Sequence, residues 1–236
     1  MCRQYGRGVA PKERDSAPLA VDDPRRGGLI DLLGALAYGE LSAFERMASD
    51  ARMAPNLADR TALSALAAGE FAHFQQLSQY LGTLGVDPEV AMAPYVVALD
   101  TFHNLTSPAD WLESLVKAYV GDGIARDFYR EVSNYLDPES RDLVRTVLGD
   151  VGHAAFAVDR VRAAIDTDPT IGGRLALWAR RLVGEALTQA QRVAVEREGL
   201  VELVATGATD LAELGNLLQR VIDGHSERMR SLGLSE

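Results

Sequence analysis

The chain has 236 residues, of which 47% are hydrophobic and 25% charged, the proportions of a globular protein, so wholesale disorder is excluded. Its formal net charge is −10 and its single cysteine, Cys2, excludes internal disulfides, zinc ribbons and iron–sulfur clusters. No apolar run reaches the ~20 residues of a membrane span and residues 1–15 hold no signal-like apolar core, so the expected location is the cytoplasm, without membrane contact.

Residues 1–27 are rich in Gly, Pro and charge and read as a flexible tail. From there the chain reads as helix almost throughout, with no sustained period-2 alternation and no hairpin signal. The first helix is expected over 28–51, stopped near Pro55, and the second over 57–82, ended by Gly82 and Gly85. A long connection follows over 83–107, punctuated by Pro88 and Pro94, with a short helical piece around 88–99. The third helix is expected over 108–135, opened by Ser107-Pro108, and the fourth over 139–166, opened by Asp137-Pro138-Glu139. Two more are expected at the C-terminus, over 170–200 after Asp168-Pro169 and over 208–232.

The short links make the first two helices antiparallel neighbours, and the third and fourth likewise. The connection of roughly 25 residues between the second and third can travel the length of a bundle. The expected organisation is a tail (1–27), an all-α four-helix bundle with one long crossover (28–167), and two helices packed on it (168–236). Residues 28–167 carry the whole acidic excess, net −10, against +2 before them and −2 after. No basic stripe is visible, which argues against a strong non-specific grip on nucleic acid.

Titratable residues stand on the apolar faces of these helices. In the first, Glu40 has Leu33, Leu36, Ala37, Phe44 and Met47 as its helical neighbours. In the second, Glu70 and His73 share a face with Leu63, Leu66, Ala67, Phe74 and Leu77. In the third, Asp122 lies among Leu115, Ala118, Tyr119, Ala125 and Tyr129, with Arg126 at the edge. In the fourth, Asp150 and His153 fall beside Leu143, Thr146, Val147, Ala154 and Ala157. Glu40 and Asp122 are 82 residues apart, and Glu70/Asp150 and His73/His153 are each 80 apart, the offset of a duplicated helix pair. Four carboxylates on apolar faces are costly to bury unpaired, and Arg126 alone is placed to help. Two divalent metals would resolve this. One acid from each of two helices plus an acid-x-x-His pair from each of the other two is the di-iron carboxylate pattern, and such ligands suit Fe and Mn. The alternative is a set of ion-paired helix-face residues. His103, in Asp100-Thr101-Phe102-His103, repeats the spacing but falls in the crossover, so a structural or surface role is expected. His225 is expected on an exposed helix face, Glu185 in helix packing or an arginine pair, and Tyr119 and Tyr129 in core packing.

At these residues, and in the runs LVKAYVGDGIARDFYREV (115–132) and RLALWARRLVGEAL (174–187), the chain resembles the ferritin-like superfamily over about 28–230. More narrowly, it is similar to the actinobacterial family related to the tRNA methylthio-isopentenyladenosine hydroxylase (MiaE-like). The resemblance implies Glu40 and Asp122 as terminal carboxylates, Glu70 and Asp150 as bridges, and His73 and His153 as one ligand to each of two irons. The family pattern has Glu where this chain has Asp122 and Asp150, each one methylene shorter. The implied activity is an O2-dependent di-iron hydroxylase acting on an apolar C–H bond, with a modified tRNA nucleoside among the candidate substrates. Lacking a cysteine cluster, it would take electrons from an external ferredoxin or reductase, and a dimer is a candidate assembly. Two rival readings are an iron-binding or ferroxidase protein and a metal-free helical interaction module. A tRNA partner would need a patch formed by Arg174, Arg180, Arg181, Arg192 and Arg197, whereas their interleaving with Glu196, Glu198 and Glu202 points to a salt-bridged face.

Overall fold

The computed structural model describes residues 25–149, 153–207 and 211–235, and every regular element among them is helical. The tail expected over 1–27 falls almost wholly outside the described residues. Helix α1 (Arg26–Asp50) runs through a 3-10 turn (Ala51–Met53) to α2 (Leu57–Thr83). Asn56 caps α2 by accepting a hydrogen bond from the Asp59 amide at 2.9 Å. The pair makes the most extensive helix–helix contact in the molecule, as the six-residue link between them requires.

The long connection is itself helical. It holds α3 (Pro88–Met92), a 3-10 turn (Ala93–Tyr95) and α4 (Val96–Leu105), and it lies across α1. Gly34 on α1 permits this, since a Cβ there would stand 2.2 Å from the carbonyl oxygen of Ala91. Asp87 caps α3 with Pro88 in its first turn, a position where the missing amide costs nothing.

The expected third helix is a composite rod. It consists of α5 (Trp111–Val116), a π-helical segment (Lys117–Gly121) and α6 (Asp122–Ser133). It starts three residues later than expected because Asp110, not Ser107, is the cap, accepting from the Glu113 amide at 2.9 Å. The Ser107 hydroxyl points back to the last carbonyls of α4, His103 and Asn104. The expected fourth helix is two. Asp137 and Pro138 open α7 (Pro138–Val147) as anticipated, but it closes at Leu148 and Gly149, whose amides bond back to Val144 and Thr146. Helix α8 (His153–Thr167) begins after residues 150–152, which fall outside the described residues.

The C-terminal part holds α9 (Thr170–Glu196), a short α10 (Glu198–Gly207) in the stretch expected to join two helices, and α11 (Leu211–Leu232). Two large apolar cores and a smaller one of Met47, Ala51, Leu63 and Ala67 form among the described residues. One joins Leu32 and Leu36 of α1, Leu77 and Leu81 of α2, Val144 and Val147 of α7 and Leu203 of α10. The other joins Leu115 and Val120 of the composite rod to Val161, Leu175, Leu182, Met229 and Leu232. Helices α6 and α11 interlock. The Arg228 side chain fills the space over Gly123, Asp127 fills the space over Gly224, and the two side chains pair at 2.7 Å.

Candidate metal centre

The 3.6-residue repeat of α1 and α2 turns Glu40, Glu70 and His73 toward the seam between the two helices. All three are buried, Glu70 to 1% exposure. His73 Nδ1 stands 3.3 Å from Glu40 Oε2 and 3.8 Å from Glu70 Oε2. One ligand atom from each of the three lies within 4.8 Å of the others, the spacing of groups that share an ion. Among the described residues this is the one such cluster.

Arg126 enters the same space from α6. Its Nη2 lies 2.7 Å from Glu70 Oε1, and its Nη1 donates to the carbonyl of Gly149 at 3.3 Å. Arg126 follows Asp122 by one turn on α6 and forms an ion pair with Glu70 across the helix interface. Asp122 itself begins α6, directly after the π segment. Its pKa is pushed up to about 7 by burial and then by the charge of Glu70, against the opposing pull of Arg126 and Lys117.

The three groups shift one another's protonation. Burial raises the Glu40 carboxyl, opposed by the His73 hydrogen bond and reinforced by Glu70. His73 is raised in turn by its hydrogen bonds to Glu40 and Glu70, against burial. Two carboxylates this close in a dry seam cannot both stay ionised without a positive group, and a proton on His73 serves that purpose in the absence of a metal. Tyr129 is packed against the first core, and burial followed by the Glu40 charge raises its hydroxyl pKa.

Of the six residues expected at the centre, the structure brings together Glu40, Glu70 and His73, while Asp122 lies outside that cluster but within reach of the Glu70 charge. Asp150 lies outside the described residues. The His153 backbone opens α8, and its side chain also lies outside them.

The other histidines stand apart. His103 is buried on α4, not at the surface, with Nε2 3.2 Å from Ser42 Oγ. His225 is half-buried on α11. Arg174 pairs with Asp110 and Glu113, Arg192 with Glu196, and Arg197 with Asp31; Arg181 donates to the carbonyl of Leu105.

Lys117 was not singled out from the sequence. It is buried in the π segment and its amine donates to the carbonyls of Thr106 at 2.9 Å and His103 at 3.4 Å. Burial lowers its pKa to about 8. The available signal was a lone lysine inside the apolar run LVKAYV, in a chain whose basic residues are otherwise nearly all arginine.

The sequence matches the family described as the ferritin-like domain of actinomycetes over residues 24–207, from the start of α1 to the end of α10. No curated protein matches it. No helix among the described residues is long and apolar enough to cross a membrane.

Proposed function

The chain belongs to the actinomycete family of ferritin-like domains, and from that premise we propose that it is an O2-dependent, non-haem di-iron oxidoreductase that hydroxylates an apolar group. The observation that carries the reading is the buried Glu40–Glu70–His73 cluster. Its donor set fits iron, since two carboxylates and an imidazole suit Fe or Mn, and a dication there would neutralise groups now held by a proton and a guanidinium. Asp122, Asp150 and His153 are the proposed second half, with Mn the alternative metal.

Bound ferrous iron would supply the electrons and open coordination positions needed to activate O2 for attack on a C–H bond. The chain supplies the rest. Glu40 and Glu70 present acceptor oxygens from two facing helices, and their mutual packing fixes the gap between them. His73 is oriented through Nδ1 by Glu40. Arg126 holds Glu70 Oε1 and thereby the rotamer of that carboxylate. The leucines and alanines around Glu40 and Glu70 keep water from competing for the site. Of the four electrons that O2 takes in each turnover, two would come from the C–H bond and two through the metals, and a separate ferredoxin or reductase would replace the latter. Three of the five arginines that a tRNA would need, Arg174, Arg192 and Arg197, are engaged in ion pairs, which weighs toward a small-molecule substrate.

The test is metal content. The full chain is loaded anaerobically with Fe(II), desalted and assayed for iron per chain beside a His73→Ala variant. About two irons in the parent and a clear loss in the variant are expected. A parent that stays helical by circular dichroism yet retains no iron overturns the reading and leaves a helical interaction module.

A further inference from the structure

A cleft of about 510 Å³ opens where the end of α1 and the 3-10 turn after it face α4 and the π segment. That is the size of a small-molecule site. Its walls are polar and lopsided in charge. Arg46, Arg52 and Lys117 line it against one acid, Asp50, giving net +2 within a segment whose own balance is −10. A smaller recess of about 20 Å³, room for about one water, shares Arg46, Asp50, His103 and Lys117 with the cleft and adds Asp122.

These cations are incompletely used by the protein. The Nε of Arg46 is buried and has no hydrogen-bond partner among the described residues. Lys117 spends two of its three ammonium hydrogens on the carbonyls of Thr106 and His103. Arg52 is exposed and held in place by Ser49, to which both Nε and Nη2 donate. His103 adds no charge. The Ser42 hydroxyl donates to the Gly39 carbonyl at 3.0 Å, so its oxygen accepts from the Nε2–H of His103 and leaves Nδ1 without a proton. Burial, Lys117 and Arg46 all hold that ring neutral.

We propose that this cleft binds a small oxyanion, carrying a carboxylate or phosphate group, through Arg46, Arg52 and Lys117. The inference stands on the cleft alone and does not require metal in the neighbouring centre. An anion here would complete the donor sets of Arg46 and Lys117 and balance the excess charge, one water-sized recess away from Asp122.

Isothermal titration of the chelator-treated full chain at low salt, with inorganic phosphate and with succinate as separate probes, tests it. Saturable binding of at least one probe is expected, weakening with added chloride. Phosphate alone identifies a phosphate-type ligand, succinate alone a carboxylate, and both a general oxyanion site. Lys117→Met is expected to weaken binding roughly tenfold or more; because Lys117 is buried, Arg52→Gln at the exposed rim serves as a second variant with an expected loss of several-fold. Arg192→Gln, on the outer face of α9, is expected to leave binding unchanged. The proposal is overturned if neither probe binds tighter than about 10 mM, or if binding is the same in Arg52→Gln and Arg192→Gln. Because no metal is present, a failure here leaves the di-iron reading where it stood.

Discussion

Arg126 and Glu70, on helices from opposite halves of the bundle, meet with Nη2 2.7 Å from Oε1. The other oxygen of Glu70 faces His73 at 3.8 Å. One carboxylate is thus divided between a fixed positive charge and a titratable one. A metal that uses both oxygens of Glu70 must take Oε1 from the guanidinium, whereas a metal that uses only Oε2 displaces just a proton.

Replacing Arg126 by Leu therefore has two opposite effects. The metal-free protein loses the partner of a buried carboxylate, at a cost of about 3 kcal/mol in urea denaturation. Fe(II) then returns more stability to the variant than to the parent, because the competing cation is gone. Equal metal-induced gains in the two proteins would show that Arg126 and the metal do not compete.

Metal affinity should rise with pH. Glu40 and then Glu70 raise His73 to a pKa of about 9, so at neutral pH the imidazole holds a proton that a metal must expel. Affinity is expected to climb roughly tenfold per pH unit from pH 6 to 8, with proton release on binding, and to level off above about 9. Chelator competition at pH 6, 7 and 8 measures it, and a flat profile would mean that His73 is not a ligand.

His103 gives the stability of the fold an acid limb. Burial, assisted by Lys117 and Arg46, lowers its pKa to about 3 from an ordinary 6.5. Between these values the unfolded chain takes up a proton that the folded chain refuses. The contribution of His103 therefore weakens as pH falls from 6.5 toward 3, by up to about 1.4 kcal/mol per unit. His103→Gln, which keeps a donor for Ser42, should flatten this part of the curve. Denaturation of both proteins at pH 7 and pH 5 tests it, and parallel changes would assign the acid limb to other groups.

Two glycines should respond oppositely to alanine. Gly34→Ala drives a methyl into the Ala91 carbonyl and separates α1 from α3, a loss of about 1–3 kcal/mol despite the better helix propensity. At Gly184, inside α9, a Cβ would meet nothing within 4 Å, so alanine should stabilise by about 0.5–1 kcal/mol. Thermal melts of the two variants in opposite directions are the expected result, and a shared direction would refute the close α1–α3 crossing.

The parts legible in the sequence were those written as local periodicity. Glu40, Glu70 and His73 each sit in a helix whose apolar positions repeat cleanly, so the shared face could be counted. Asp137-Pro138 announced a helix start in the same local terms. What was not legible depends on contacts between distant segments. Arg126 pairs with Glu70, 56 residues away in the chain. The π segment has no residue signature that sets it apart from α-helix, and Ser107-Pro108 reads as a helix start although the Ser107 hydroxyl bonds back to α4 and Asp110 is the cap. Lys117 escaped notice because its acceptors, the carbonyls of His103 and Thr106, belong to another helix end.

The π segment between Lys117 and Gly121 amounts to one residue more than a regular helix needs over that length. Regular helix advances about 100° per residue. Wound instead as regular helix with the same five residues, the segment would swing everything beyond it by about that angle, carrying Arg126 away from Glu70 and Gly123 out from under Arg228. Deleting one residue there would restore even winding and leave the groups beyond it nearly where they are. The facing of Arg126 toward Glu70 thus depends on one surplus residue being taken up as a wide turn, and would survive its loss but not its rewinding.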